Sequence, residues 1–317
     1  MFYFLLLIFG FFPLIFGANL LVDGASSLAK KFNIPNIVIG LTIVAFGTSA
    51  PEMVVNVFAS INKNSSIVLG NIVGSNIFNV LGILGISAIV FPLTVKTNTT
   101  WKEIPLSLLS AVLLLVAAND LFLEGRNYSE ISRIDGILFL AFFIIFLAYN
   151  AELIKSGRSD EEITIKDLTK LISTFFIITG IILLVVGGRL VVLSSIKIAR
   201  SIGISERIIA LTIISIGTSL PELATSVVAA LKRNVDIAVG NVVGSNIFNI
   251  FLILGLSAVI NPIELQQKAN FEILINILAG LLLFIFVFTG KGRKIDRWEG
   301  AILLLVLVFY FVRLIIV

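Results

Sequence analysis

A polar stretch set inside apolar sequence occurs twice in this chain at a constant spacing. Residues 47–52 read Gly-Thr-Ser-Ala-Pro-Glu, and residues 217–222 read Gly-Thr-Ser-Leu-Pro-Glu. A second stretch, Gly70-Asn71-Ile72-Val73-Gly74-Ser75-Asn76-Ile77-Phe78-Asn79, returns as Gly240-Asn241-Val242-Val243-Gly244-Ser245-Asn246-Ile247-Phe248-Asn249. The offset is 170 residues from Glu52 to Glu222 and again from Asn79 to Asn249. Between Gly40–Pro92 and Ala210–Pro262 about half of the positions are identical, the mark of an internal repeat. Each copy places a carboxylate, hydroxyls and amides in runs where polar groups are costly and usually functional. Glu52 and Glu222 are therefore expected to form one cation site inside a membrane.

The 317 residues are 58% hydrophobic and 13% charged, with a mean hydropathy of +1.11. A water-soluble chain of this length could not bury that much apolar surface, which leaves a multi-span helical protein of the lipid bilayer. The net charge of +4 is small and its basic residues lie at segment ends, so orientation in the membrane explains it better than nucleic-acid binding. There is no Cys and no His. This excludes disulfides, thiolate or imidazole metal sites and a Ser-His pair, so no enzymatic activity is expected. Any metal must be held by oxygen, which favours hard cations.

Ten apolar segments of spanning length can be marked, at about 2–23, 36–61, 66–92, 103–119, 134–152, 171–194, 206–231, 236–262, 270–290 and 298–316. The first is read as a retained helix, because its end sits 170 residues before the matching Gly187-Gly188-Arg189 and it lacks a basic n-region. The second, third, seventh and eighth are long and carry Gly or Pro, which predicts tilted or broken helices. The polar segment 153–170 joins residues 1–152 to residues 171–317. An odd number of spans in each half inverts the second half, so the expected architecture is all-α, with two inverted five-helix repeats and broken helices at a midplane ion site. Alternate connections carry fourteen Lys and Arg on the linker's side against eight on the other. This predicts a cell-membrane protein with a cytoplasmic linker and both termini outside. Asp23, Asp120 and Asp236 read as helix-end or loop charges.

Pro51 has no N–H and its ring clashes with the carbonyl of Gly47. Carbonyls at Ala45, Phe46 and Gly47, and at Ser215, Ile216 and Gly217 before Pro221, are thus expected to become available as ligands, with Gly47 tolerating unusual backbone angles. Thr48 and Glu52 share a helix face. Two carboxylates match one Ca²⁺, which takes 6–8 oxygens, and Thr48, Thr218 and the freed carbonyls could complete that number, whereas Mg²⁺ prefers to keep its waters. Ser75 with Asn79, and Ser245 with Asn249, add neutral oxygens at i, i+4. The roles of Asn71, Asn76, Asn241 and Asn246 stay open between ligand and packing.

These doubled motifs, Gly47–Glu52 with Gly70–Asn76 and Gly217–Glu222 with Gly240–Asn246, resemble the two alpha repeats of the cation/calcium antiporter superfamily, and its prokaryotic sodium/calcium exchanger branch in particular. The resemblance implies Ca²⁺ held by Glu52, Glu222, Thr48 and Thr218. It implies Na⁺ positions drawing on the same glutamates, the Ala45 and Ser215 carbonyls, Ser49, Ser219, Ser75 and Ser245. Asn79 and Asn249 would be supporting polar members of the central site. Asn at position 249, where potassium-dependent relatives carry Asp, argues against a K⁺ requirement, and the absence of further acids or His in the repeats favours Na⁺ over H⁺ coupling. The expected function is Ca²⁺ extrusion by Na⁺ exchange through alternating access, with the first and sixth spans sliding past the motif-bearing core. Cofactors and an obligatory protein partner are not expected. H⁺/Ca²⁺ antiport is the alternative, and a passive cation channel a more distant one.

Overall fold

The computed structural model describes residues 2–120, 129–156, 166–201, 203, 215–265, 269–289 and 292–316. Apart from four two-residue strands, the regular structure is helical: α1 (Phe2–Phe32), α2 (Asn36–Thr48), α3 (Ala50–Ile61), α4 (Ser65–Val90), β1 (Leu93–Thr94), α5 (Thr99–Ala117), β2 (Glu130–Ile131), α6 (Arg133–Ser156), α7 (Lys170–Ser201), α8 (Ser215–Thr218), α9 (Leu220–Leu231), α10 (Val235–Ile260), β3 (Ile263–Glu264), α11 (Ala269–Thr289), β4 (Lys294–Ile295) and α12 (Arg297–Ile316). Seven of these helices are long and apolar enough to cross a membrane, or eight if α2 and α3 count as one bent span. The predicted span 206–231 is described only from Ser215 onward.

The two motif-bearing helices α4 and α10 lie at the centre. In their most apolar windows 83% and 78% of residues are buried, against 17% for α6 and 33% for α1, α5, α7 and α11. The peripheral helices present Phe12, Ile144, Leu171 and Phe309 outward, as expected of surfaces facing lipid rather than water. Small residues allow the closest backbone approaches. A Cβ on Gly17 would stand 2.8 Å from the Gly180 carbonyl oxygen, and a Cβ on Gly180 would stand 2.8 Å from that of Gly17, so α1 and α7 are in backbone contact. Gly40 and Gly240 bring α2 against α10 in the same way.

The connections gather at two ends. β1 pairs with β4 and β2 with β3, both antiparallel. Helix α4 separates the pairs: Ser65 at its start bonds the Glu264 backbone N–H, whereas β1 follows its end. At about 1.5 Å per residue, the 26 residues of α4 hold those ends about 39 Å apart. Segments 62–65 and 129–132 thus share an end with β3, and segments 91–97 and 292–295 share the other. Lys96 extends the second group by pairing with Asp236 at 2.9 Å.

Several expectations need correction. The first helix runs to Phe32 rather than ending near residue 23, because Asp23 is not a helix end. It lies within α1, largely buried, and pairs with Lys166 at 2.9 Å and Lys232 at 2.7 Å; two cations make a carboxylate tolerable there. Asp236 is likewise no loop charge, being buried in the first turn of α10. Among the described residues of the motif helices the break falls at the Pro motifs. The axis bends by 50° between α2 and α3, where Ser49 adopts φ −83°, ψ 6°. Ser219 adopts a matching φ −89°, ψ 9° between α8 and α9. In contrast α4 and α10 continue unbroken, widened into π-helical turns at Phe78–Leu84 and Phe248–Leu254, a distortion common at functional sites.

Replacing Gly180 by Leu should lower the melting temperature of the protein in detergent by several degrees, since overpacking costs about 1–3 kcal/mol. Gly70→Ala, where a new Cβ would meet nothing within 4 Å, should not lower it.

Candidate cation site

Pro51 and Pro221 occupy the first turns of α3 and α9, a position that tolerates proline because the first helical N–H groups have no intrahelical acceptor. The preceding Ser therefore leaves helical geometry, and Glu52 and Glu222 fall in the first turn of the new helix, where the helix dipole favours negative charge. Gly47 keeps helical backbone, so its freedom of φ is not used. Its lack of a side chain is: a Cβ there would strike Ile181 of α7 at 2.5 Å, and one on Gly217 would strike Val192 at 2.3 Å. Helix α7 thus seals both motifs.

The two glutamates are each 1% exposed, and the serine of each motif bonds the glutamate of the other. Ser49 Oγ donates to Glu222 Oε1 at 2.9 Å, and Ser219 Oγ donates to Glu52 Oε1 at 3.2 Å. The second oxygen of each carboxylate, Oε2, is buried without a hydrogen-bond partner. Among the described residues neither glutamate has an ion-pair partner. Two carboxylates cannot stay charged in such a place without positive charge, and no side chain supplies it.

Neutral oxygens surround them. Thr48 Oγ1 lies 3.1 Å from the Val44 carbonyl and 3.0 Å from Asn241 Oδ1. Thr218 Oγ1 lies 3.1 Å from Asn71 Oδ1. Ser245 Oγ is 3.0 Å from Ser49 Oγ and 3.4 Å from Glu222 Oε1, while its counterpart Ser75 is buried with an unpartnered hydroxyl. Asn79 and Asn249 sit in the π-helical turns. They donate at 2.9 Å to Asn246 Oδ1 and Asn76 Oδ1 respectively, and their own Oδ1 atoms are buried and unpartnered.

The structure thus gathers these residues into four hydrogen-bonded groups: Ser49, Ser245 and Glu222 with Thr48 through Asn241, Ser219 with Glu52, Thr218 with Asn71, and Asn79 and Asn249 with Asn246 and Asn76. The expectation that Ala45 loses its helical partner is corrected: its carbonyl accepts the Ser49 N–H at 2.9 Å, because proline removes a donor two residues further on. Ser215 contributes helical backbone in α8; its side chain lies outside the described residues. Asn71, Asn76, Asn241 and Asn246, left open from sequence, all take part in the network, and their burial in apolar helices was the available signal. An apolar crevice lined by Phe46, Met53, Phe248, Leu252 and Ile253 reaches Ser49 from the side. Buried carboxylates with unpartnered oxygens, set among hydroxyl and amide oxygens, suit a desolvated hard cation rather than acid-base chemistry.

Comparison with known proteins agrees with this chemistry. The family model described as sodium/calcium exchanger protein matches residues 2–151 and 172–316. The sodium/calcium exchanger MaX1 of Methanosarcina acetivorans is 33% identical over 349 aligned positions, covering 98% of each chain. The inner membrane protein YrbG of Escherichia coli K12 is 38% identical, covering 83% of this chain and 82% of its own. Among solved structures, one of the sodium-calcium exchanger NCX_Mj superposes with a TM-score of 0.81 at 33% identity, covering 98% of this chain and 96% of that one. The chain belongs to the sodium/calcium exchanger protein family of membrane transporters.

Proposed function

We propose that this protein is a secondary antiporter that exchanges Na⁺ for Ca²⁺ across the cell membrane, exporting Ca²⁺ at the expense of the Na⁺ gradient. The observation that carries the reading is the pair of buried glutamates, each with an oxygen free of hydrogen bonds and, among the described residues, with no cationic side chain between them. One Ca²⁺ neutralises both carboxylates, and so do two Na⁺. The empty site, doubly charged in an apolar setting, is costly to carry across, which couples movement in one direction to movement in the other. In this reading Glu52, Glu222, Thr48 and Thr218 hold Ca²⁺. Na⁺ uses the glutamates with Ser49, Ser219, Ser75, Ser245 and the Ala45 and Ser215 carbonyls, and Asn79 and Asn249 support both ions.

The architecture that goes with this function is ten spans in two inverted repeats, residues 1–152 and 171–317, joined by 153–170. α2 with α3 makes one span, the stretch ending in α9 a second, and α12 the tenth. The sorting of connections into two ends, the matched backbone at Ser49 and Ser219, and the crossed Ser–Glu bonds all support it. The end bearing β1, β4 and the linker is assigned to the cytoplasm on its Lys and Arg content, which places both termini outside.

Proteoliposomes loaded with Na⁺ and diluted into Na⁺-free medium should accumulate ⁴⁵Ca²⁺, and Glu52→Gln and Glu222→Gln should each abolish that uptake. Uptake that ignores Na⁺ and follows a pH gradient would replace Na⁺ with H⁺ coupling, and uptake surviving both substitutions would remove the glutamates from the mechanism. Because the chain has no cysteine, its orientation can be read with single introduced thiols. A membrane-impermeant maleimide should label Asn62→Cys in intact cells and Thr94→Cys only after permeabilisation; the reverse pattern would invert the topology.

A further inference from the structure

We propose that Asn71, Asn76, Asn241 and Asn246 are positioning residues that orient, across the boundary between the two motif copies, the oxygens with which the opposite copy faces the ion. This rests on the reading of Glu52 and Glu222 as a cation site. The inference follows from which atoms can only accept. A backbone carbonyl cannot donate, so an amide side chain touching one must present its Nδ2. Asn76 Nδ2 meets the Asn246 carbonyl at 3.3 Å, and Asn246 Nδ2 meets the Asn76 carbonyl at 3.4 Å. That mutual clasp turns both Oδ1 atoms away from it, toward Asn249 and Asn79. Those two must then present Nδ2, each at 2.9 Å, which leaves their own buried Oδ1 atoms free for a cation.

The same logic fixes Asn241. Its Nδ2 meets the Glu222 carbonyl at 3.3 Å and Ser226 Oγ at 2.9 Å, so its Oδ1 faces the Thr48 hydroxyl. A threonine hydroxyl has one proton and two lone pairs. With Asn241 Oδ1 at 3.0 Å and the Val44 and Ala45 carbonyls at 3.1 and 3.3 Å as the acceptors for that proton, the lone pairs are left for a ligand. Asn71 Oδ1 faces the Thr218 hydroxyl in the corresponding place, at 3.1 Å. Each orienting amide therefore lies on one motif copy and each oriented oxygen on the other. A carbon side chain in place of such an asparagine would leave the amide it holds free to rotate, and would leave the Thr48 hydroxyl to the Val44 and Ala45 carbonyls of its own helix alone.

The test is a double-mutant cycle on the purified full chain, read as Ca²⁺ affinity by isothermal titration calorimetry. Asn241→Leu should weaken Ca²⁺ binding about fivefold, the equivalent of one net hydrogen bond of ~1 kcal/mol. In a Thr48→Val background the same substitution should change affinity by less than about twofold, since coupled residues do not add. In a Thr48→Ser background, where the hydroxyl is restored, the fivefold effect should return. An equal effect of Asn241→Leu in all three backgrounds would overturn the proposal, because a merely structural asparagine does not act through Thr48. If Asn241→Leu is not monodisperse, the cycle of Asn71→Leu with Thr218→Val answers the same question. Absence of Ca²⁺ binding by the wild-type chain would overturn the cation-site reading and this inference with it, whereas wild-type binding with additive effects overturns the inference alone.

Discussion

The hydrogen bonds from Ser49 to Glu222 and from Ser219 to Glu52 are the interactions on which the rest of this structure depends. A carboxylate moved from water to an apolar interior costs several kcal/mol even after relaxation, and this chain makes that transfer twice with no lysine or arginine beside it among the described residues. The serines reduce the cost, but they cannot cancel the charge. On the proposed function, the fold has to hold the two motifs so close that one set of cations can serve both. The backbone contacts Gly40–Gly240 and Gly17–Gly180 meet that demand, since helices carrying side chains at those positions would stand further apart. The π-helical turns add to it by displacing Asn79 and Asn249 from regular helical register.

Much of this was legible from the sequence because charge and proline are conspicuous in a membrane. The 170-residue offset stands in the sequence itself, and the burial of the glutamates, of their serine neighbours and of the third and eighth segments follows from the cost of polar groups in lipid. Asp23 was misread because its partners, Lys166 and Lys232, lie 143 and 209 residues away, beyond the reach of any local pattern. The π-helical turns were invisible for a different reason. Nothing in Phe-Asn-Val-Leu-Gly-Ile-Leu disfavours an ordinary α-helix, and the widening answers to contacts with other helices. The Ala45 carbonyl shows the limit of reasoning from proline alone: a missing N–H at residue 51 frees the carbonyl of Gly47, whereas the Ser49 N–H remains and bonds that of Ala45.

The two halves match in backbone more closely than in side-chain bonding. Asn241 has its amide held by Ser226, but position 56, which corresponds to Ser226, is an asparagine that bonds the Glu52 carbonyl at 2.7 Å, leaving Asn56 Oδ1 and Asn71 Nδ2 both buried and unpartnered. Ser245 joins Ser49 and Glu222, and Ser75 joins neither. In an inverted arrangement the inward-facing and outward-facing states exchange the roles of the halves. Perfectly matched halves would make those states equal in energy, and any ion would find the same site from either side. Side-chain differences next to the glutamates remove that equality, and a state preference of even ~1.4 kcal/mol changes the ratio of the two populations tenfold. Asn56 against Ser226, Ala45 against Ser215 and Val55 against Thr225 are polar differences that break the symmetry in the helices carrying the carboxylates. On the proposed function, the positions at which the copies differ thus set the balance between the two states of the site that the repeat builds.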